Sequence, residues 1–197
     1  MKIGPKYKIC RRLGEQVFPK CQTTKFSISG SQTRPNSNQP RRNSSEYSSQ
    51  LREKQKARYT YGINERQFSL YVKKSRVREN LYRALESRLD NVIFRLGFAP
   101  SRAAARQALT HGHIMVNDRR VNIPSYAVQV GDRISIRSGS REKGPFRNLA
   151  ERLKDYQSPT WVNITGTGEG MIKALATMGE AEVNLNFDAI MDFYSRV

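Results

Sequence analysis

The feature that most constrains the fold is a change of hydrophobic period between residues 81 and 136. Apolar residues first recur every three or four positions, which predicts a helix that ends at Gly97. That period places one apolar stripe on the helix and leaves Arg83, Arg88, Asp90 and Arg95 outside it. Further along, Ile134 and Ile136 alternate with polar residues, as in a half-buried strand. A chain with both periods must combine helices with a sheet.

Capping and turn residues divide the same stretch into short elements. Ser101 is suited to cap an alanine-rich helix that runs to Leu109, and Gly112 supplies a stop. Residues 113–116 then read as a strand, followed by tight turns at Asn117-Asp118 and Gly131-Asp132. The sequence therefore predicts a small mixed α/β module.

The basic residues of this module are nearly all arginine. Arginine offers forked donors to phosphate oxygens and a plane that stacks on bases, which lysine does not. Acids are too few here to balance the charge, so we interpret the module as RNA-binding. The residues expected to be exposed for this purpose are Arg95, Arg102, Arg106, Arg119, Arg120 and Arg133.

The charge of the whole chain supports a polyanionic partner. The net charge is +18 with a pI near 10.4, and residues 1–80, 81–150 and 151–197 carry +14, +7 and −3. The first two segments are expected to face RNA, and the third to face protein or solvent. No apolar run approaches the roughly 18 residues that span a membrane, and no long basic amphipathic helix suggests a membrane surface.

The part before the module divides near residue 45. Residues 1–45 are basic and rich in Ser, Asn, Gln and Pro, so we expect an arm that is partly disordered without RNA. From Ser45 onward two helices are predicted, with Asn64 capping the second. Tyr59, Tyr61 and Tyr71 lie among the basic residues of this region, either stacking on bases or packing in the core.

Several ordered motifs resemble one known family. The residues RLDNVIFRLGFAPSRAAARQALTHGHIMVNDRRVNIPSY, followed by VGDRISI, resemble the RNA-binding domain of the ribosomal protein S-four family. The preceding EYSSQLREKQKARYTYGINERQF and the terminal FYSRV are similar to the stretches that flank this domain in the family. The resemblance covers about three quarters of the chain, and such motif matches are hypotheses that a structure must test.

The resemblance implies an architecture. It is α+β, with residues 86–150 as the module, inserted between a helical body formed by residues 46–85 and a returning tail, residues 151–197. The RNA-binding residues that it implies, together with the basic residues before the module, are Arg88, Arg95, Ser101, Arg102, Arg106, Gln107, His111, Gly112, His113, Asn117, Arg119, Arg120, Arg52, Lys54, Lys56, Arg58 and Arg66.

The function implied is that of a structural ribosomal protein that performs no reaction. The family binds the 5′ domain of small-subunit rRNA early and nucleates assembly, contacts ribosomal protein S-five, lies near the mRNA entry path and affects decoding accuracy. We expect a cytoplasmic rather than an organellar ribosome, and no membrane contact. The alternative is a stand-alone, ribosome-associated RNA chaperone that carries the same module.

Two remaining features argue against a cofactor and against catalysis. Some members of the family bind zinc through a cysteine cluster, but a structural zinc site needs four ligands and this chain has only Cys10 and Cys21. We therefore expect reduced thiols and no cofactor. The His111-Gly112-His113 turn has neither a nucleophile nor a metal-ligand set beside it. Enzymes that carry this module need a separate catalytic domain, for which no motif is found.

Overall fold

The computed structural model describes residues 3–23, 26, 45–144, 146–180 and 185–196 and divides the chain into two compact units. Unit 1 comprises residues 1–74 and 181–197, and unit 2 comprises residues 75–180. The α+β class predicted from the sequence is confirmed. No helix in the described ranges is long and apolar enough to cross a membrane.

Unit 1 is helical. It contains α1 (Lys6–Leu13), a 3₁₀ turn (Pro19–Cys21), α2 (Glu46–Tyr61), α3 (Glu65–Ser75) and α8 (Phe187–Ser195). Asn64 caps α3 as predicted, since its Oδ1 accepts a hydrogen bond from Gln67 N, and Ser45 Oγ caps α2 by accepting one from Ser48 N. Helix α8 packs along α2, which brings the two ends of the unit together.

The N-terminal residues differ from the predicted arm. A small core forms from Cys10, Leu13, Val17, Phe18, Cys21 and Phe26, and half-buried Tyr59 of α2 packs against it. Polar composition masked the three- and four-residue spacing of these apolar side chains, which is enough for one helix and a turn. Residues 27–44, where the arm is most polar, lie outside the described residues.

Unit 2 combines helices with a five-stranded antiparallel sheet in the order β2-β1-β3-β5-β4. Its elements are α4 (Arg78–Glu86), α5 (Leu89–Arg95), α6 (Arg102–Thr110), β1 (Ile114–Val116), β2 (Arg119–Arg120), β3 (Arg133–Ile136), a 3₁₀ turn (Ser138–Ser140), α7 (Leu149–Lys154), β4 (Val162–Gly166), β5 (Glu169–Ile172) and a 3₁₀ turn (Met178–Glu180). Ser101 caps α6 as predicted, accepting a hydrogen bond from Ala104 N.

The prediction of one long helix before Gly97 is wrong, because the structure has two helices there, α4 and α5. Ser87 ends α4 and Arg88 is extended, with φ −64° and ψ 133°. Backbone hydrogen bonds from Val128 N to Ser87 O (2.9 Å) and from Leu89 N to Tyr126 O (2.9 Å) hold this break open. A tertiary backbone contact thus overrides a continuous apolar period.

The C-terminal segment also differs from the predicted tail. It contains two short strands, β4 and β5, which extend the sheet of unit 2 through pairing of β5 with β3. Unit 2 therefore runs from residue 75 to residue 180 and contains the whole of the module predicted at residues 86–150, whose own bounds stay a prediction. Residues 181–184 lie outside the described part of the chain, and Phe187 begins α8.

Candidate nucleic-acid interface

The arginines of α6 are held by side chains of α5. Arg102 Nε donates to Asn91 Oδ1 at 2.7 Å, and the Arg102 guanidinium carbon lies 4.5 Å from the centre of the Phe94 ring. Arg106, one turn later, donates to Asp90 Oδ2 through Nε at 3.0 Å and through Nη2 at 2.5 Å. Both arginines remain half-exposed. Their guanidiniums are therefore fixed in position while still reaching the surface.

Two buried acids organise this arrangement. Asp90 accepts hydrogen bonds from Arg88 as well as from Arg106, and the Arg88 Nη2–Asp90 Oδ2 distance is 2.8 Å. Glu86, which is 0% exposed, binds the fork of Arg95 at 2.9 and 3.1 Å. The charges of the two carboxylates offset those of the two buried arginines. The positive charge that remains in this network is that of the two arginines of α6.

The same network links Glu86 to Arg102. Asn91 Nδ2 donates to Glu86 Oε2 at 2.8 Å and to the Glu86 carbonyl at 3.0 Å, which fixes the amide so that its oxygen faces Arg102. Sequence reasoning missed Glu86, Asp90 and Asn91 because it looked only for groups that contact RNA. The available signal was two acids placed inside a run of apolar residues, where a charge requires a partner.

Arg88 and Arg95 are buried, contrary to the prediction from the sequence. Both were expected on the exposed side of a helix, but they are 3% and 6% exposed and lie in the ion pairs just described. The error follows from the break between α4 and α5, which rotates the predicted polar side inward. These two arginines stabilise the module, and their assignment as RNA contacts stays a prediction.

The hairpin supplies two exposed arginines. Asn117 and Asp118 form its tight turn with positive φ angles of 49° and 63°, as predicted. Arg119 and Arg120 follow on β2 and are exposed. Gly112, with φ +69°, lies directly against the Arg120 guanidinium, and a Cβ at this position would overlap it. Glycine therefore allows Arg120 to lie over the end of α6.

Other predicted residues in this region have structural contacts or are exposed. Asn117 connects the two turns, since its Nδ2 donates to Asp132 Oδ1 at 2.8 Å and its Oδ1 accepts from Arg133 N. Arg133 is paired with Asp118 on the surface at 2.7 Å. Gln107 and His111 are exposed. Ser101 acts as the helix cap described above.

His113 lies partly buried beside an aromatic ring. Its Nδ1 is 2.9 Å from Ser140 Oγ, and its ring meets Phe146 edge to face at 5.8 Å. Burial lowers the pKa of His113 from its usual 6.5, and the positive charges of Lys143, Arg120 and Arg137 lower it further. The imidazole is therefore neutral near pH 7.

We expect the lowered pKa of His113 to make stability depend on pH. The unfolded state binds the proton more readily, so stabilisation by neutral His113 is complete above pH 6.5 and decreases as the pH falls through this value. His113→Gln should flatten the pH dependence of the free energy of unfolding in this range. His111→Gln, at an exposed position, is the control. An unchanged pH profile in the His113 variant would contradict the assignment.

In unit 1, two predicted RNA-binding lysines are buried in ion pairs. Lys54 Nζ lies 2.8 Å from Glu65 Oε1 and 4.6 Å from the centre of the Phe193 ring. Lys56 Nζ lies 2.7 Å from Glu15 and 3.1 Å from Glu53. They join α2 to neighbouring segments of the unit, so the expectation that these charges are presented at the surface is corrected.

Glu65 collects three donors in this unit. Lys54, Arg58 (2.9 Å) and the Tyr194 hydroxyl (2.6 Å) all contact its carboxylate. Burial raises the pKa of Glu65, but the hydrogen bonds from Lys54 and Tyr194 outweigh it, and the pKa is lowered. Burial and the bond to Glu65 raise the pKa of Tyr194.

The remaining predicted residues of unit 1 have different environments. Arg52 and Arg66 are exposed. Among the tyrosines, Tyr61 is 3% exposed and packs in the core. Tyr59 and Tyr71 are half-buried.

We expect Lys56→Met to lower the free energy of unfolding by about 1–2 kcal/mol, because it leaves two carboxylates without their shared cation. Its effect on rRNA affinity should not exceed that of Lys74→Met, which removes the same charge from an exposed position. Chemical denaturation and filter binding measure the two effects. A selective loss of affinity in the Lys56 variant would show that this lysine contacts RNA.

The cysteines form a buried pair. Cys10 and Cys21 are both 0% exposed and free. Burial, together with the hydrogen bond to Cys10, raises the pKa of the Cys21 thiol to about 12, so it is protonated. No group of three or more potential metal ligands occurs in the described ranges. The absence of a cofactor stays a prediction.

Comparison with known proteins agrees with this arrangement. The S4 domain family matches residues 87–134, and the ribosomal protein S4/S9 N-terminal domain family matches residues 1–91. The chain is 41% identical to small ribosomal subunit protein uS4 of Halothermothrix orenii and 44% identical to that of Roseiflexus castenholzii, with 98% of each chain covered. The uS4 protein of Chloroflexus aurantiacus is 42% identical, again with 98% of each chain covered. The anchored arginines thus lie in a matched RNA-binding domain, and the chain belongs to the uS4 family of small ribosomal subunit proteins.

Proposed function

We propose that this chain is a non-enzymatic constituent of the small ribosomal subunit that binds the 5′ domain of its rRNA early and helps to nucleate assembly. The observation that carries the proposal is the pair Arg102 and Arg106, whose half-exposed guanidiniums are fixed by Asn91 and Asp90. Prepositioned guanidiniums lose little side-chain entropy on binding phosphate.

The mechanism is recognition of backbone charge and shape. Arginines that neutralise phosphates release counterions, and this supplies sequence-independent affinity that falls with salt. The narrow major groove of A-form RNA hides base edges, so selectivity comes from the spacing of phosphates and 2′-hydroxyls. Guanidiniums fixed by buried partners match one such spacing better than mobile side chains do.

The finer parts of the proposal rest on family membership. They are contact with ribosomal protein S-five, a position near the mRNA entry path and an influence on decoding accuracy, in a cytoplasmic ribosome and without a bound cofactor. The charge distribution is compatible with them, because residues 151–197 carry −3 and offer the less basic surface that a protein partner or solvent would meet.

The test is binding to the 5′ domain of small-subunit rRNA and to a shuffled RNA of equal length, across a salt series. We expect a large preference for the 5′ domain that persists as salt rises. Equal affinities that decrease together would contradict specific recognition and would favour the RNA-chaperone alternative.

A further inference from the structure

We propose that a cavity between α1 and α2 in unit 1 binds one unstacked nucleotide of the RNA. The cavity measures about 280 Å³. The cavity belongs to unit 1, whereas the arginines of α6 belong to unit 2. This inference rests on the proposed rRNA binding and adds a site for a single nucleotide to it.

The charge of the lining favours an anion. Arg12, Arg52 and Arg58 line the cavity, whereas no acidic side chain does. Arg58 is balanced by Glu65 at 2.9 Å, which leaves the exposed Arg12 and Arg52 as the positive charges at the opening. A phosphate group is the anion that two guanidiniums bind best in RNA.

The rest of the lining favours a planar apolar group beside that anion. Ile9, Leu13 and Leu51 supply aliphatic surface, and Tyr59 supplies an aromatic ring. The Tyr59 ring is held in place, since it meets Phe18 edge to face at 5.9 Å and lies 5.0 Å from the Arg58 guanidinium. An inorganic phosphate would leave this surface in water, whereas a nucleobase would cover it.

Two polar groups of the lining have unused hydrogen-bonding capacity. Gln55 Oε1 and Arg58 Nε are buried atoms that find no hydrogen-bond partner in the described part of the protein. One is an acceptor and the other a donor. A nucleobase edge carries both types of group, so small side-chain rotations toward a bound base would satisfy them.

The volume of the cavity matches a single nucleotide. About 280 Å³ lies near the lower end of the roughly 300–1,000 Å³ of small-molecule sites, which is too small for a duplex groove. A nucleotide turned out of its stack matches this size, as in the single-stranded loops and bulges by which proteins read RNA.

The direct test is an NMR titration of the full chain with AMP, UMP and ribose 5-phosphate. We expect saturable shifts at residues of α1 and α2 around the cavity with both nucleotides, and much weaker shifts with ribose 5-phosphate. Gln55→Glu, which places a carboxylate in the lining, should abolish them, whereas Gln67→Glu on α3 adds the same charge elsewhere and should not. Equal shifts with ribose 5-phosphate, or none near the cavity, would overturn the proposal.

The second test measures how much the cavity contributes to the affinity for the 5′ domain. Arg12→Gln should weaken binding to the 5′ domain about tenfold relative to Lys8→Gln, because loss of a held nucleotide removes its stacking as well as one charge. Lys8 lies on the same helix, is exposed and does not line the cavity. Equal affinities of the two folded variants would mean that the cavity holds no rRNA nucleotide, even if free AMP binds there.

These outcomes remain separable from the failure of the proposed function. If the wild-type chain prefers the 5′ domain but the Arg12 and Lys8 variants bind it with equal affinity, only the cavity proposal is overturned. If the wild-type chain shows no such preference, the proposal of specific rRNA binding is overturned, and the cavity proposal, which depends on it, is overturned too.

Discussion

Glu86→Ala is expected to lower the free energy of unfolding of unit 2 by about 3–5 kcal/mol, the usual cost of removing one partner of a buried ion pair. Glu86 is 0% exposed and receives the Arg95 fork and the Asn91 amide. Without it the 6% exposed Arg95 remains as a buried charge with its main anion lost. Denaturant unfolding followed by the fluorescence of Trp161, the only tryptophan and part of the same unit, measures the loss.

The control for this prediction is Glu79→Ala, which removes a glutamate paired with Arg78 at the surface. There we expect little or no change in the free energy of unfolding, because water screens an exposed ion pair. The double variant Glu86→Leu with Arg95→Met should recover most of the lost stability, because it removes both buried charges together. A double variant as unstable as Glu86→Ala would show that the cost does not come from the charge of Arg95.

Replacing both Arg102 and Arg106 with alanine should weaken binding to the 5′ domain about 100-fold. Each arginine lost is expected to cost roughly tenfold, since a charge-assisted hydrogen bond contributes about 1.5–3 kcal/mol and a partly exposed one lies at the low end. The fold should survive, because Asp90 keeps Arg88 as a partner at 2.8 Å. Equilibrium binding at fixed salt, with circular dichroism as a check on folding, measures the effect.

The matched control removes two positive charges elsewhere in unit 2. Lys154→Ala with Lys173→Ala alters exposed lysines in the segment of negative net charge. Its affinity should fall several-fold at most, through the general field of the protein. If both double variants lost affinity equally, the position of Arg102 and Arg106 would not matter and only net charge would.

Local signals predicted the elements of the module better than their arrangement. Ser101 was identified as a cap and Asn117-Asp118 as a turn because each depends on the chemistry of a few neighbouring residues. The break at Ser87 was missed because it depends on hydrogen bonds from residues about forty positions further along the chain. Hydrogen bonds between residues so far apart in the sequence do not change the spacing of apolar residues, so that spacing cannot predict them.

The candidate site shows the same division. Residue type pointed to arginine as the expected RNA-binding group. Of the six arginines expected to be exposed in the module, Arg102 and Arg106 are partly exposed, and Arg119, Arg120 and Arg133 are exposed. Residue type could not separate them from Arg88 and Arg95, because exposure depends on which way each helix faces. The acids that hold the arginines were counted in the sequence only as charges that offset them.

The packing of α8 on α2 determines an order of events during synthesis. Helix α2 (Glu46–Tyr61) is made early, but its partner α8 (Phe187–Ser195) follows the whole of unit 2. Unit 2 has all its residues at hand first and can fold while the chain is still growing. The side of the basic helix α2 that packs on α8, in contrast, stays uncovered until α8 is made, so nascent unit 1 is the part that most needs either a chaperone or RNA.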